Sequence, residues 1–220
     1  DLTPEKVQET IPEFHNGRLR FEALEKAAAK DSARRVAGAQ AEIDFCRKHR
    51  GIVSLLLDAQ VRGELPLRIT HNDTKIDNVL FDTDTGEVVC IVDLDTVMPG
   101  LVHYDFGDMM RTLTSPAEED ERNLAKVTMR MEYFEELAQG YLAEAGEFLN
   151  QAERDHLAIS GKVITLILGI RFLSDHLNGD TYFRVHRDGQ NLDRARVQFK
   201  LVESMVEQEE AMKSVIAALS

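Results

Sequence analysis

The most informative segment of this 220-residue chain is the stretch His71-Asn72-Asp73-Thr74-Lys75-Ile76-Asp77-Asn78. The stretch places a histidine, an aspartate and an asparagine in order, and a further aspartate, Asp93, follows an apolar run. Carboxylate and amide oxygens are the ligands that Mg²⁺ prefers, and a carboxylate also accepts a proton from a hydroxyl group. The pattern therefore predicts a loop that binds Mg²⁺ and orients an alcohol.

The residues between Asn78 and Asp93 predict a β-hairpin. Two apolar runs rich in β-branched residues, Val79–Phe81 and residues 88–92, flank a polar turn over residues 82–86. Paired antiparallel strands lie about 4.8 Å apart. A hairpin therefore brings Asn78, before its first strand, beside Asp93, after its second strand.

The same side chains occur in the order of a kinase catalytic loop and its metal-binding aspartate. We predict that Asp73 is the catalytic base, that Lys75 contacts the transferred phosphate, and that Asn78 and Asp93 bind Mg²⁺. His71 is assigned a structural role, in bracing the loop. A zinc site is not indicated, because no cysteine or second histidine lies at ligand spacing from another ligand. We call residues 71–78 the catalytic loop.

A second motif, Asp105-Phe106-Gly107, spells the metal-binding D-F-G of protein kinases. It does not follow a strand pattern, however, and residues 104–112 have the pattern of a helix with Asp105 in its first turn. We therefore assign the metal to Asp93. Asp105 is predicted to accept hydrogen bonds from backbone donors and to connect this helix to the catalytic loop.

The composition narrows the class of protein. With 43% hydrophobic residues, residues 1–220 can bury the core of one domain, and a net charge of −13 disfavours nucleic acid or an anionic membrane as a partner. Two cysteines form no disulfide framework, which favours the cytoplasm. The longest apolar run, residues 163–170, is interrupted by polar residues, so it predicts a buried helix and no membrane-spanning segment.

The rest of the chain is predicted to be helical. The fold class is therefore α+β, mainly helical, with a small β-hairpin that carries the catalytic and metal-binding loops. One helix is expected to start at Thr3 and another at Ser115. Three more are expected over residues 32–49, from Asn150 through Leu177, and over residues 192–219.

Three segments, residues 71–78, 91–95 and 104–108, together resemble the aminoglycoside phosphotransferase and choline kinase superfamily. That resemblance implies a protein-kinase-like fold, ATP as the phosphoryl donor and Mg²⁺ as the cofactor. A closer resemblance, to the N-acetylhexosamine 1-kinase branch, implies a sugar as the small-molecule substrate and transfer to the anomeric hydroxyl of GlcNAc or GalNAc. The segments that carry this closer resemblance are residues 70–76, 92–100, 169–172 and 179–184.

The resemblance also implies that Arg171 and Tyr182 contact the sugar. From the residues alone, Arg171 lies in an apolar helical stretch, where an unpaired guanidinium is costly, so it pairs either with Asp175 one turn later or with a ligand. Asp95 has two interpretations as well. On an extended chain it shares a side with Asp93 and enters the substrate site, and otherwise it caps a turn.

Kinases of this fold have an amino-terminal lobe with a glycine-rich loop over the phosphates and a lysine on a strand. Neither pattern precedes His71. We therefore expect the chain to be the carboxy-terminal lobe of a larger enzyme, inactive alone, with an exposed lobe interface that favours self-association. The alternatives are a kinase for choline, an aminoglycoside or another sugar, a non-catalytic binding module, and a Mg²⁺-dependent hydrolase.

Overall fold

The structure, a computed structural model, describes residues 3–219 and is mainly helical, as the sequence predicts. Two small antiparallel sheets lie between the third and fourth helices along the chain. The strands are β1 (Arg68–Thr70), β2 (Val79–Phe81), β3 (Val88–Ile91) and β4 (Met98–Gly100). The helices are α1 (Gly17–Lys30), α2 (Gln40–Lys48), α3 (Leu55–Val61), α4 (Val102–Leu113), α5 (Met131–Ala145), α6 (Gln151–Asn178), α7 (Gln190–Glu207) and α8 (Glu209–Leu219).

Helix α6 is the centre of the fold. It begins at the capping box that the sequence indicates, in which Asn150 Oδ1 accepts from the Glu153 backbone N–H and Glu153 Oε2 accepts from the Asn150 backbone N–H, both at 2.8 Å. It ends at Gly179, whose φ of 95° is the left-handed conformation that glycine adopts freely. By length and hydropathy alone α6 could cross a membrane, but 78% of its most apolar window is buried inside the protein, as expected for a core helix.

Two apolar clusters surround α6. One contains residues of α1, α2 and α3, and the other contains residues of α4, α5 and α8. Phe106 and Phe134 are fully buried in the second cluster, with their rings edge to face at 6.2 Å. Because truncating such a ring costs about 3–5 kcal/mol, this cluster fixes α4 firmly against the rest of the fold.

The strands position the two ends of the catalytic loop. The predicted hairpin is confirmed, with Val79 of β2 opposite Ile91 of β3. The sequence did not indicate the second sheet, in which β1 pairs with β4 and places Thr70 opposite Met98. The catalytic loop therefore starts at the end of β1 and finishes at the start of β2, while β3 leads to Asp93.

Two helical predictions are wrong because side chains hold the backbone in turns. Helix α2 begins only at Gln40, since Asp31 Oδ1 accepts from the backbone N–H groups of Arg35 and Val36 and keeps the preceding residues out of the helix. No α-helix starts at Ser115 either. Its hydroxyl accepts from the Ala117 backbone N–H two residues later, which closes a local turn.

The two ends of the described chain also differ from prediction. The predicted helix over residues 192–219 is two helices, α7 and α8, which are separated at Gln208. Gln208 Nε2 donates to the backbone carbonyl of Met129 at 2.8 Å and holds this break against a neighbouring segment. The predicted helix at Thr3 is a single 3-10 turn, Pro4–Lys6, because Thr3 makes no capping hydrogen bond through its side chain.

Candidate active site

The structure brings together four of the side chains that the sequence assigns to catalysis and metal binding. Asp73 Oδ2 accepts a hydrogen bond from Lys75 Nζ at 2.7 Å and another from Asn78 Nδ2 at 2.9 Å. Lys75 Nζ also lies 4.0 Å from Asp93 Oδ2. The predicted base, phosphate contact and metal ligands are thus neighbours at one end of the hairpin.

Helix α4 and the segment after β3 hold the catalytic loop from two sides. The Asp105 carboxylate accepts from the backbone N–H groups of His71 at 2.9 Å and Asn72 at 2.6 Å, while Thr74 Oγ1 donates to the Asp105 backbone carbonyl at 2.7 Å. On the other side, His71 Nε2 lies 3.2 Å from the Val92 carbonyl oxygen. Asp105 and His71 thus make contacts of the structural kind that the sequence suggested for them.

Two residues of the site have left-handed backbone conformations. Asn72 has a φ of 65° and Asp93 a φ of 61°. Asparagine and aspartate enter this region more readily than other non-glycine residues, and such conformations concentrate at functional sites. At Asp93 the change ends the extended run of β3, so its carboxylate lies next to Lys75.

Lys75 remains a cation in this setting. Burial lowers the pKa of Lys75, but the hydrogen bond to Asp73 and the charges of Asp73 and Asp93 outweigh that effect, so the net pKa is raised. At neutral pH the ammonium group is therefore protonated. A protonated lysine beside the base is suited to contact an anionic phosphoryl group.

Asn78 and Asp93 offer oxygen atoms suited to Mg²⁺. Asn78 Nδ2 donates to both the backbone oxygen and Oδ2 of Asp73, which directs the amide oxygen away from Asp73. Among residues 3–219 that oxygen accepts no hydrogen bond, and the Asp93 side chain is 50% exposed. No three His, Cys, Asp or Glu side chains in the described chain are placed to hold a metal ion. Two protein oxygens nonetheless fit Mg²⁺, which usually keeps waters and substrate phosphates as its other ligands.

Asp95 lies in a turn, so the expectation that it enters the site beside Asp93 loses the extended chain on which it rested and stays a prediction. It is exposed within the 3-10 turn Leu94–Thr96, and its backbone carbonyl accepts from Thr10 Oγ1 at 2.9 Å. The expectation assumed an extended chain, in which residues two apart share a side. The left-handed Asp93 and the turn that follows it end that alternation.

Arg171 and Tyr182 line a cavity of about 470 Å³ that we call the outer cavity. Arg171 Nη2 lies 3.5 Å from the Tyr182 hydroxyl, and its guanidinium carbon lies 5.3 Å and 5.4 Å from the ring centres of Phe14 and Phe183. Asp175 is not its partner, because that carboxylate accepts backbone N–H groups of the loop after α6. Burial lowers the pKa of Arg171, and none of its contacts within residues 3–219 is an ion pair.

Sequence reasoning missed three residues beside Asp73, namely His15, Asp108 and Arg111. They line a smaller space of about 40 Å³, the inner cavity, which Asp73 and Arg171 also line. A helical signal was present for two of them, because Asp108 follows Asp105 by three positions and Arg111 follows Asp108 by three, a spacing that makes neighbours on a helix. His15 carries no such signal, since it lies in a loop before α1.

Residues 5–158 match the model of the phosphotransferase enzyme family. The matched segment contains the catalytic loop, the hairpin and α4. The chain belongs to this family. It is therefore a phosphotransferase of small-molecule substrates, which confirms the superfamily that the motifs resemble. Arg171 and Tyr182 lie beyond the matched residues.

Ionisation of Asp105 should make the stability of this phosphotransferase depend on pH. Burial raises the pKa of Asp105 to about 6, although the hydrogen bonds from His71 and Asn72 lower it. In an unfolded chain the pKa is about 3.9. The stability that protonated Asp105 contributes is therefore fully present below about pH 4 and is lost as the pH rises through about 6, by roughly 2 kcal/mol.

We expect Asp105→Asn to remove this loss. The free energy of unfolding of the variant, measured in urea at several pH values, should improve relative to wild type by about 2 kcal/mol between pH 4 and pH 7. A constant offset is expected in addition, because the asparagine amide cannot accept both backbone hydrogen bonds. The same substitution at the exposed Asp84 is the control. Parallel curves for wild type and Asp105→Asn would contradict the prediction.

Proposed function

We propose that this phosphotransferase transfers the γ-phosphoryl group of ATP to a sugar hydroxyl, with the anomeric hydroxyl of an N-acetylhexosamine as the acceptor. The observation that carries the proposal is the position of the outer cavity. Arg171 lines both the outer cavity and the inner cavity, and Asp73 lines the inner one, so an acceptor held by Arg171 lies next to the proposed base.

The walls of the outer cavity fit a neutral sugar. The rings of Phe14, Tyr182 and Phe183 supply apolar faces, while the Arg171 guanidinium supplies hydrogen-bond donors. Arg20 adds a further donor, since its Nε is buried and has no hydrogen-bond partner in the described chain. An acetamido carbonyl accepts hydrogen bonds from such donors, which favours an N-acetylated sugar.

The charges in this cavity disfavour choline and aminoglycosides. Arg20 and Arg171 both line it, and neither forms an ion pair with another residue of the described part of the chain. The one carboxylate in the wall, that of Asp175, already accepts three backbone N–H groups. An ammonium group would enter beside two unpaired guanidinium groups, and like charges at short range repel.

Each of the proposed site residues has one part in this reaction. Asp73 orients the acceptor hydroxyl and accepts its proton, and Lys75, beside Asp73, contacts the transferred phosphoryl group. Mg²⁺, which Asn78 and Asp93 would hold, neutralises phosphate charge when it is bound. Arg171 and Tyr182 fix the sugar, so that the hydroxyl meets Asp73 at hydrogen-bonding distance.

The hairpin supports the proposal that a nucleotide-binding lobe completes the enzyme. Its strands and the turn after them expose apolar side chains that a second lobe, or a second copy of this chain, would bury. The chain alone should then lack activity, because half of the contacts to ATP would be missing. The exposed residues are Leu80, Phe81, Val88, Val89, Ile91 and Leu94.

We also propose that the enzyme is cytoplasmic. Cys46 and Cys90 are both free thiols, and Cys90 is exposed on β3. A reducing compartment keeps an exposed thiol from forming disulfides.

The test is an acceptor panel with the whole natural protein, ATP and Mg²⁺. GlcNAc and GalNAc should give the highest kcat/KM, and glucose, choline and kanamycin should give values lower by at least about 10-fold. The ³¹P NMR spectrum of the product should show a phosphate on the anomeric carbon. A preference for choline or kanamycin would overturn the sugar assignment, and phosphate release without an acceptor would favour a hydrolase.

A further inference from the structure

We propose that Asp108 and His15 form a hydroxyl-binding subsite in the inner cavity, which recognises free hydroxyl groups of the acceptor other than the one that is phosphorylated. The inference deepens the proposed function and rests on it. The two residues lie on different elements, α4 and the loop before α1, and both line the inner cavity together with Asp73.

Asp108 has one carboxylate oxygen that the protein does not use. Arg111 Nε and Nη2 both approach Oδ1, at 2.9 Å and 2.8 Å. Oδ2 is buried and has no hydrogen-bond partner among residues 3–219, while the side chain as a whole is only 8% exposed. Leaving a buried acceptor of this kind unpaired costs about 1–3 kcal/mol, so the oxygen is expected to have a partner when the site is filled.

His15 presents a second unused acceptor. Its Nε2 lies 2.9 Å from the backbone carbonyl oxygen of Asn72, so Nε2 carries the proton and donates. Burial lowers the pKa of His15 to about 4, and the ring is therefore neutral at pH 7. Nδ1 then holds a lone pair, and this atom is also buried without a partner in the described chain.

Two buried acceptor atoms on residues that line one small space require hydrogen-bond donors. The cavity volume of about 40 Å³ accommodates one or two hydroxyl-sized groups. The charged residues of the lining are two carboxylates, Asp73 and Asp108, and two guanidinium groups, Arg111 and Arg171, so their charges balance and favour a neutral occupant. Hydroxyl groups are neutral donors of the right size, and a sugar presents several of them on adjacent carbons.

The arrangement also gives the acceptor a direction. The acceptor atoms of Asp108 and His15 belong to residues that line the inner cavity with Asp73, Arg20 lines the outer cavity, and Arg171 lines both. In an N-acetylhexosamine the acetamido group is on the carbon next to the anomeric one, so the free hydroxyls that Asp108 and His15 can bind are those on the other carbons. The subsite would therefore set which way round the sugar binds.

The experiment combines two variants with deoxy sugars, measured on the whole natural protein with ATP. Asp108→Asn keeps an oxygen for Arg111 but replaces the free acceptor with a donor. His15→Gln keeps a donor to the Asn72 carbonyl but removes the Nδ1 acceptor. Wild type should prefer GlcNAc over one or more of its 3-, 4- and 6-deoxy analogues by about 10- to 100-fold in kcat/KM. Asp108→Asn should reduce that preference to about 3-fold or less, and His15→Gln should reduce it by about 2- to 10-fold.

This ratio separates binding from structural support, because a structural role would slow GlcNAc and its deoxy analogues equally. Glu209→Gln is the matched control. It removes the negative charge that pairs with the buried Lys162, outside both cavities, and should leave the preference unchanged. An unchanged preference in Asp108→Asn would overturn the subsite while the proposed function stands. Failure of wild type to phosphorylate any sugar would overturn the proposed function and the subsite with it.

Discussion

Replacing Asp73 with asparagine should lower the kcat for phosphoryl transfer by about 10²- to 10⁴-fold. The asparagine has the same shape, but it cannot accept a proton from the acceptor hydroxyl. The substitution also weakens the charged hydrogen bond that positions Lys75, whose Nζ lies 2.7 Å from Asp73 Oδ2. In the proposed complex, ground-state contacts to the acceptor would come mainly from the walls of the outer cavity, so KM for the acceptor should change only a few-fold and the loss should appear in kcat.

The control for Asp73→Asn is the same substitution at Asp84, in the exposed turn of the hairpin. Its kcat and KM should match those of wild type. The measurement is initial-rate kinetics on the whole natural protein, with the fold of each variant checked by thermal unfolding. If Asp73→Asn turns over at the wild-type rate while folded, Asp73 is not the base, and a different proton acceptor is needed.

Local sequence patterns were sufficient where the structure is local. The hairpin follows from two β-branched runs around a polar turn, and α6 follows from its capping box and apolar length. The proximity of Asn78 to Asp93 was predictable for the same reason, because strand pairing alone brings the ends of a hairpin together. These parts needed no information about distant residues.

Predictions failed where distant contacts or single backbone angles decide the outcome. One of the two interpretations of Asp95 assumed an extended chain, and the left-handed Asp93 and the turn after it replace that extended chain. The break between α7 and α8 depends on Gln208 and its bond to Met129, which lies 79 positions away in sequence. The spacing of apolar residues along the sequence does not indicate such a contact.

Only part of the candidate site could be predicted from the sequence, for a related reason. The catalytic loop is continuous in sequence, so its pattern stands out. The acceptor side is assembled from separate segments, with His15 bonded to a loop residue 57 positions away and Arg171 far along α6. Arg171 is predicted only by the resemblance, and the one signal at Asp108 is its position one helical turn after Asp105.

The second large effect is expected at Gly107 of the D-F-G motif, where α4 packs against the backbone of α6. A Cβ at this position would lie 2.7 Å from the Ser160 carbonyl oxygen and 2.8 Å from its carbonyl carbon, both backbone atoms of α6. Alanine should therefore push the two helices apart and cost about 1–3 kcal/mol in the free energy of unfolding, despite its better helix propensity. Because α4 carries Asp105 and Asp108, kcat should fall as well.

Gly140 provides the matched comparison, since it is exposed in α5 and a Cβ there meets no atom within 4 Å. Gly140→Ala should stabilise the protein by about 0.5–1 kcal/mol, because alanine loses less backbone entropy in a helix. In urea unfolding the two alanine variants should thus shift the midpoint in opposite directions from wild type. Equal stabilisation by both would mean that α4 and α6 are not in close contact at Gly107, and the position of Asp105 and Asp108 beside the catalytic loop would lose its support.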